Sequence, residues 1–198
     1  MFSQLRPALV LLVLMTVLTG LVYPLAVTGI ASVLFPYQAG GSLIEKDGKV
    51  FGSALIGQNF TDPRNFHGRP SATTDTDPND PSKTVLAPYN AANSGGSNAG
   101  PTSKALIERI QGDVETAKKV SNGPVPVDLV TTSASGLDPH ITPAAAEFQI
   151  ARVAAARNLP VERVRALVAQ ATEDRFLGIL GEPRVNVLKL NMALDALK

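Results

Sequence analysis

The sequence predicts an α+β protein with one N-terminal transmembrane helix followed by a single soluble α+β domain. Two observations lead to this prediction. Apolar residues, 44% of the 198-residue chain, are concentrated at its N-terminal end. Beyond residue 40 the composition becomes polar and rich in turn residues, and segments with helical apolar spacing are mixed with β-prone segments. We therefore place a short N-terminus at 1–6, a membrane helix at 7–36 and the domain at 40–198.

The apolar segment from Pro7 to Gln38 is the basis of the membrane prediction. No charged residue occurs between Arg6 and Glu45, and a helix needs roughly 20 apolar residues to cross a bilayer core. The alternative is a cleavable signal peptide, whose apolar core should be only about 7–15 residues long. We favour an uncleaved anchor, which Pro24 is expected to kink because it lacks a backbone N–H.

The charges that flank this segment predict its orientation. Arg6 and the amino terminus are positive, whereas the charges at 45–49 nearly cancel. The positive-inside rule then places the N-terminus in the cytoplasm. The soluble domain is expected on the extracytoplasmic side, in a periplasm or its equivalent.

The first half of the domain is predicted to be poor in regular structure. Asp47-Gly48 lies between β-prone residues in Ser42 to Leu55, which is a signal for a β-hairpin. A long loop is expected at about 61–88, preceded by at most a short strand from Leu55 to Phe60. Aromatic and basic side chains are expected to hold the loop against the domain: Phe60, Phe66 and Arg69.

The second half is predicted to contain three helices before the C-terminal segment. The first should begin near Pro101 and end before the terminator at 122–124. The second should have Thr142 as its N-cap and Pro143 as its first residue, and Asn158 should end it in the left-handed conformation. The third is expected at 161–172.

Two strands complete the predicted domain. Pro124 to Gly136 is expected to form a short strand, and Arg184 to Leu190 alternates apolar and polar residues as a strand does. A last short helix should follow around Met192. Arg152 on the second helix is expected to lie on a solvated face.

The composition excludes several function classes. The net charge is +1, so a polyanion-binding signature is missing. The chain has no cysteine, hence no disulfide and no thiolate nucleophile. Its two histidines, His67 and His140, are far apart and do not form the usual metal-ligand spacings. We expect no metal and no intrinsic cofactor.

The loop Ser94-Gly95-Gly96-Ser97-Asn98 is the first candidate site. Free backbone N–H groups before a helix favour an anion, so the loop is a candidate nucleotide-binding element. It lacks the Gly-Lys-Ser/Thr end of a P-loop, because Gly100-Pro101-Thr102 occupies that place. The alternative is a tight structural loop in which Ser and Asn side chains cap the helix end. We favour this alternative.

A second candidate lies in Thr131 to His140, where Ser135, Asp138 and His140 occur close together. These are the residue types of a hydrolytic triad. The segment lacks the first glycine of a Gly-x-Ser-x-Gly nucleophile elbow, and residues so close in sequence usually close a turn before a helix. We therefore predict no catalytic residues in this chain.

The segments together resemble a known family, the C subunit of the bacterial high-affinity potassium-transporting P-type ATPase (Kdp). The resemblance covers essentially the whole chain and rests on six segments in order. Asn158 departs from it, because glycine is expected there. The segments are LTGLVYPLAVTGIA, GSALIGQNF, FHGRPSA, YNAANSGGSNAGPTSKAL, VPVDLVTTSASGLDPHITPAAAEFQIARVAAARNL and LGEPRVNVLKLNMALD.

The resemblance implies a non-catalytic accessory subunit of an ATP-driven potassium uptake pump in the bacterial inner membrane. Its expected partners are a channel-like potassium-binding subunit, the P-type ATPase subunit and a small single-span subunit. Such a subunit stabilises the complex and acts as a catalytic chaperone that raises the ATP affinity of the ATPase subunit. The resemblance also implies that the SGGSN loop of this family is similar to the signature loop of ABC transporters. That likeness is partial here, because Asn93 stands where leucine is expected and Ser97-Asn98 replaces glutamine.

The predicted topology conflicts with direct ATP contact. ATP is cytoplasmic, whereas residues 94–98 are expected on the other side of the membrane. The chain would then affect ATP binding only through the ATPase subunit. Such an effect is a coupling free energy between two distant sites. The alternative is a nucleotide-binding module whose SGGSN loop touches ATP. A secreted hydrolase is a third and more distant hypothesis.

Overall fold

The computed structural model describes residues 2–46, 48–121 and 123–197. The chain divides into two compact units, residues 1–53 and residues 54–198. The first unit holds the apolar helix, a short helix at Pro36–Ala39 and a β-hairpin. The second unit contains the remaining helices and strands, so the α+β class is confirmed.

The apolar helix runs from Leu5 to Leu34, and its length and composition are sufficient to cross a membrane. It consists of α1 (Leu5–Val17), a π-helical turn (Leu18–Val22) and α2 (Tyr23–Leu34). The π-helical turn ends at Val22, two residues before Pro24, which has no backbone N–H to donate to the helical hydrogen bonds. A short helix, α3 (Pro36–Ala39), follows a break at Phe35.

The predicted hairpin is confirmed. Strands β1 (Leu43–Lys46) and β2 (Lys49–Ser53) pair antiparallel, with Lys46 opposite Lys49. Gly48 in the turn has a φ of 71°, a left-handed conformation that glycine adopts without strain. Asp47, the other predicted turn residue, lies outside the described residues.

The core of the second unit is formed by α5 (Pro143–Arg157), α6 (Val161–Ala171), α7 (Val187–Asp195) and a small antiparallel sheet. The sheet has the order β5-β7-β6, with β5 at His140–Ile141, β6 at Thr172–Glu173 and β7 at Arg184–Asn186. Burying each large apolar side chain stabilises the fold by about 1.5–3 kcal/mol. The largest core residues are Phe66, Ile150, Val153, Val164, Val185, Leu190 and Leu194.

The ends of α5 follow the sequence prediction. The Thr142 hydroxyl accepts a hydrogen bond from the Ala145 N–H at 3.1 Å, and Pro143 is the first helical residue. Asn158 ends the helix with a φ of 55°. These features confirm the predicted N-cap and the left-handed terminator.

One predicted strand is wrong, and a second is shorter than predicted. Pro124 to Gly136 contains only a 3₁₀ turn (Val127–Leu129), because prolines without N–H groups cannot complete a strand ladder. In the segment from Arg184 to Leu190, only the first three residues form β7. There the Asn186 side chain accepts the Lys189 N–H at 3.0 Å and begins α7 at Val187.

The expected irregular loop at 61–88 contains a hairpin instead. Strands β3 (Thr74–Asp77) and β4 (Asp80–Leu86) pair antiparallel around the Asp-Pro-Asn-Asp turn. Asp77 accepts the Asn79 N–H at 2.8 Å and stabilises this turn. The described residues 55–60 contain no strand. Phe66, from the same segment, is fully buried in the core, as expected for a residue that holds the segment down.

The helix after the glycine-rich loop, α4 (Lys104–Lys118), starts later than predicted. Its N-cap is Ser103, whose hydroxyl accepts the Leu106 N–H at 3.4 Å. Pro101 is therefore part of the preceding turn and not of the helix.

Candidate functional site

The glycine-rich loop, residues 94–98, packs against the backbone of residues 132–136. The Gly95 N–H and the Ser94 hydroxyl both donate to the Ser135 carbonyl, at 2.9 and 3.0 Å. The Ser97 and Thr132 hydroxyls lie 3.4 Å apart. The loop is therefore held to a neighbouring segment by its own polar groups.

Two glycines make this close packing possible. A Cβ on Gly96 would lie 2.9 Å from the Ala134 carbonyl oxygen. Gly136 has a φ of 67°, and a Cβ there would lie 2.6 Å from the Gly95 carbonyl oxygen. By contrast, a Cβ on Gly95 would meet no atom within 4 Å. Gly96 and Gly136 therefore have a structural role that Gly95 does not share.

The loop is also separate from the N-terminus of α4. Residues 99–102 lie between Asn98 and the N-cap Ser103. The Gly95 N–H is already bonded to a protein carbonyl, so it is not free for a phosphate. The first amides of α4, where the helix dipole favours an anion, do not belong to residues 94–98.

Ser135, Asp138 and His140 make turn contacts. The Ser135 hydroxyl accepts the Leu137 N–H at 3.1 Å, and Asp138 Oδ1 accepts the His140 N–H at 2.9 Å. Burial alone would raise the pKa of Asp138, but hydrogen bonds from His140 and the Arg69 charge hold it below its usual value. These contacts are those predicted for a turn ahead of Thr142.

Arg69 links the long polar segment to the same turn. Its Nη1 lies 3.2 Å from Asp138 Oδ2, and its Nη2 donates to the Thr132 carbonyl at 3.2 Å. The Tyr89 hydroxyl donates to the Arg69 carbonyl at 2.7 Å. Burial, together with the Asp138 charge, raises the pKa of Tyr89 to about 12. The tyrosine thus serves as a neutral hydrogen-bond donor.

A cleft of about 700 Å³ lies in the second unit, and Ser97 is the member of the glycine-rich loop that lines it. Its apolar wall comes from residues far apart in the chain. The apolar lining residues include Phe60, Leu86, Leu129, Val120 and Phe148. Its basic lining residues are His67, Arg69, Arg109 and Arg152.

The cations of the cleft differ in how fully they are paired. Arg109 Nη1 pairs with Asp113, but Arg109 Nη2 is buried without a hydrogen-bond partner among the described residues. Arg152 donates to the Pro63 carbonyl and to Gln149 Oε1, and its burial lowers its pKa. It has no ion-pair partner within the described chain. An anion with an apolar body fits such a wall.

Sequence reasoning missed the cleft. Arg152 was predicted to lie on a solvated face, yet it is half-buried against Gln149. The lining residues span 59–152 and come from loops, a strand and two helices. No short motif identifies such a set, so only the tertiary fold could bring it together. Among the described residues, no group of three or more His, Asp or Glu side chains is arranged to hold a metal ion.

Comparison with known proteins gives a consistent result over the whole chain. Residues 5–196 match the family model for KdpC, the c chain of the K+-transporting ATPase. Three relatives carry the name Potassium-transporting ATPase KdpC subunit. Those from Bradyrhizobium diazoefficiens and Methylobacterium nodulans are 67% and 65% identical, over 98% and 100% of this chain and 98% of each relative.

The third relative, from Rhodopseudomonas palustris, is 64% identical over the full length of both chains. These matches confirm the resemblance stated from the sequence motifs. They agree with the finding that the described residues include one helix long and apolar enough to span a membrane. The chain belongs to the KdpC family, the c-chain subunits of the K+-transporting ATPase.

Proposed function

We propose that this chain is a non-catalytic accessory subunit that stabilises an ATP-driven potassium uptake pump and couples its parts. The observation that carries the proposal is the full-length family match. The turn contacts of Ser135, Asp138 and His140 support it, because these residue types are used for local structure. The partners are the channel-like potassium-binding subunit, the ATPase subunit and the small single-span subunit.

The proposed orientation places the N-terminus in the cytoplasm and the domain outside it, in the periplasm of a bacterial inner membrane. Arg6, in the first turn of the 30-residue apolar helix, supports this orientation. The glycine-rich loop and ATP are then on opposite sides of the membrane. Any effect on ATP affinity is carried as a coupling free energy, because the subunit binds one conformation of the pump better than another.

The test compares the pump with and without this chain. We expect loss of the chain to reduce the yield of assembled pump and potassium uptake at low external potassium. Normal assembly and uptake without the chain would contradict the proposal. Measuring the ATP dependence of hydrolysis in both preparations then separates a coupling role from a purely structural role.

Direct nucleotide binding is the second candidate function. The observation that favours it is Ser97, which lines the same cleft as the incompletely paired Arg109 and Arg152. The cleft offers cations for phosphate and apolar side chains for a base. Under this alternative the isolated full-length chain should bind ATP.

The glycines provide matched variants for this alternative. Gly95→Val removes the flexibility of the loop at a position with open space for a Cβ. Loss of ATP binding by this variant, with unchanged melting temperature, would support a direct contact. Gly96→Val is a control for disrupted loop packing, since Ala134 blocks its Cβ. An absence of ATP binding by the wild-type chain would exclude the alternative.

A further inference from the structure

Arg152 brings a half-buried positive charge to the wall of the cleft. Its guanidinium donates to two neutral acceptors, the Pro63 carbonyl and Gln149 Oε1. The Asp62 carboxylate acts on this charge only from a distance, and no ion pair to Arg152 forms among the described residues. A guanidinium has more N–H donors than these two bonds use. An anion in the cleft would therefore meet a charge and donors that the protein itself leaves without a carboxylate.

The other basic side chains of the cleft add little net charge. Arg69 pairs with Asp138, and Arg109 pairs with Asp113. Burial lowers the pKa of His67, which favours the neutral imidazole at neutral pH. The cleft therefore complements a single negative charge. Most of the charges of a nucleoside triphosphate would find no cation there.

Apolar side chains from several elements form much of the remaining wall. They include Phe60, Leu129 and Phe148, together with Ala117 of α4. The cleft volume of about 700 Å³ falls within the range of roughly 300–1,000 Å³ that small-molecule pockets occupy. Helix α4 buries none of its described residues, so a ligand would cover apolar surface that the protein leaves accessible to water. An apolar wall beside one charge fits an anion with an aliphatic body.

We propose that the cleft binds a free amphipathic carboxylate, a monoanion whose head lies on Arg152 and whose aliphatic chain lies against Phe148. Arg152 follows Phe148 by one turn of α5, so one ligand can contact both side chains. Arg109 Nη2 is a second donor in this wall, and it has no acceptor among the described residues. The site belongs to the second unit of this chain alone, so it does not depend on the role of the chain in the pump.

The first test uses octanoate as the probe and the full chain in nanodiscs of neutral phosphatidylcholine. Isothermal titration calorimetry measures the affinity, with empty nanodiscs as the reference. We expect saturable binding of octanoate and a rise in the melting temperature of the chain, because the ligand binds the folded state.

Three other compounds separate the contributions of charge and chain. Acetate has the charge without the chain, octan-1-ol has the chain without the charge, and ATP has several charges. Each should bind at least about tenfold more weakly than octanoate, since each lacks one part of the match. Failure of octanoate to bind would overturn the inference. Equal or tighter binding of octan-1-ol or ATP would also overturn it, in favour of an apolar or a nucleotide site.

The second test removes the charge. Arg152→Met keeps much of the apolar stem but lacks the guanidinium, and it should weaken octanoate binding about tenfold or more. Arg165→Met is the matched control, because Arg165 pairs with Glu147 and Glu162 and does not line the cleft. The control should bind octanoate like the wild type. Wild-type affinity in Arg152→Met would contradict the inference.

A second pair of variants leaves the bonds of Arg152 intact, so it decides the matter even if Arg152→Met does not fold. Ala117→Phe places a large side chain in the cleft from α4 and should weaken octanoate binding. Glu115→Phe adds the same bulk at an exposed position of α4 outside the cleft and should not. Equal affinity of these two variants would show that octanoate binds elsewhere.

A last comparison distinguishes a free carboxylate from an anionic lipid, which has the same combination of charge and chain. The octanoate titration is repeated in nanodiscs that contain phosphatidylglycerol, with empty nanodiscs of the same composition as the reference. We expect unchanged affinity. A loss of affinity would assign the cleft to an anionic lipid and overturn the inference.

Discussion

At the residue scale, glycines decide whether the 94–98 loop can contact the 132–136 segment. Gly136 combines a left-handed φ with two close neighbours, the Gly95 carbonyl and the Thr73 side chain. Gly95 itself has neither constraint. Of the Gly-Gly pair that suggested a phosphate-binding loop, only Gly96 is required by the fold, because a Cβ there would meet the Ala134 carbonyl.

The first prediction concerns the stability of this contact. Gly136→Ala should lower the free energy of unfolding by about 1–3 kcal/mol, because the new Cβ clashes with a neighbouring backbone and the conformation is strained. Gly95→Ala is the matched control and should change it by less than about 0.5 kcal/mol. Urea unfolding of the full chain in detergent measures both. Equal stability of the two variants would show that the loop does not pack as described.

The second prediction concerns pH. The folded pKa of Asp138 lies below its ordinary value of 3.8, so the unfolded state binds protons more readily. The stabilisation by its carboxylate is present above pH 3.8 and is lost as pH falls through the lower folded pKa. Asp138→Asn should flatten the decline of stability below about pH 4. An unchanged acid slope in that variant, measured by urea unfolding, would contradict this role.

At the element scale, capping residues predict helix ends better than periodicity predicts strands. Thr142 and Asn158 bracket α5 as expected, because each acts on backbone groups next to it in sequence. The alternation from Arg184 to Leu190 was misleading, since the Asn186 cap and tertiary packing favour a helix. The cleft could not be predicted either. Its cations, Arg69, Arg109 and Arg152, are far apart in the sequence, and only the tertiary fold brings them to one cleft.

The third prediction tests the cap that divides β7 from α7. Asn186 is buried, and its side chain also donates to the Ala54 carbonyl at 2.9 Å. Asn186→Ala should reduce the free energy of unfolding by about 2 kcal/mol, since the Lys189 N–H and the Ala54 carbonyl both lose a partner.

A second variant divides the two roles of Asn186. Asn186→Asp keeps the oxygen acceptor for the Lys189 N–H but removes the donor to Ala54. Its unfolding midpoint in urea, measured at several pH values, then reports the loss of the Ala54 contact together with the cost of burying a carboxylate. If Asn186→Ala is as stable as the wild type, the side chain neither caps α7 nor supports the core.

At the scale of the whole molecule, one apolar helix and one α+β domain belong to a subunit of a potassium pump. The family and the general architecture could be predicted from sequence, because six ordered motifs and a 30-residue apolar helix are local signals. The prediction of the side of the membrane on which the domain lies depends on one charged side chain, that of Arg6. The choice between an accessory role and direct nucleotide contact depends on that side.

The most direct test of the account is therefore the sidedness of the domain. Ser97→Cys introduces a single exposed thiol into a chain without cysteine, and Ser3→Cys provides the control on the other side of the helix. Cells with a permeable outer membrane are treated with a membrane-impermeant thiol reagent, before and after the inner membrane is opened. We predict that the thiol at position 97 reacts in both states and the thiol at position 3 only after opening. Reaction at position 97 only after opening would place the domain beside ATP and contradict the account.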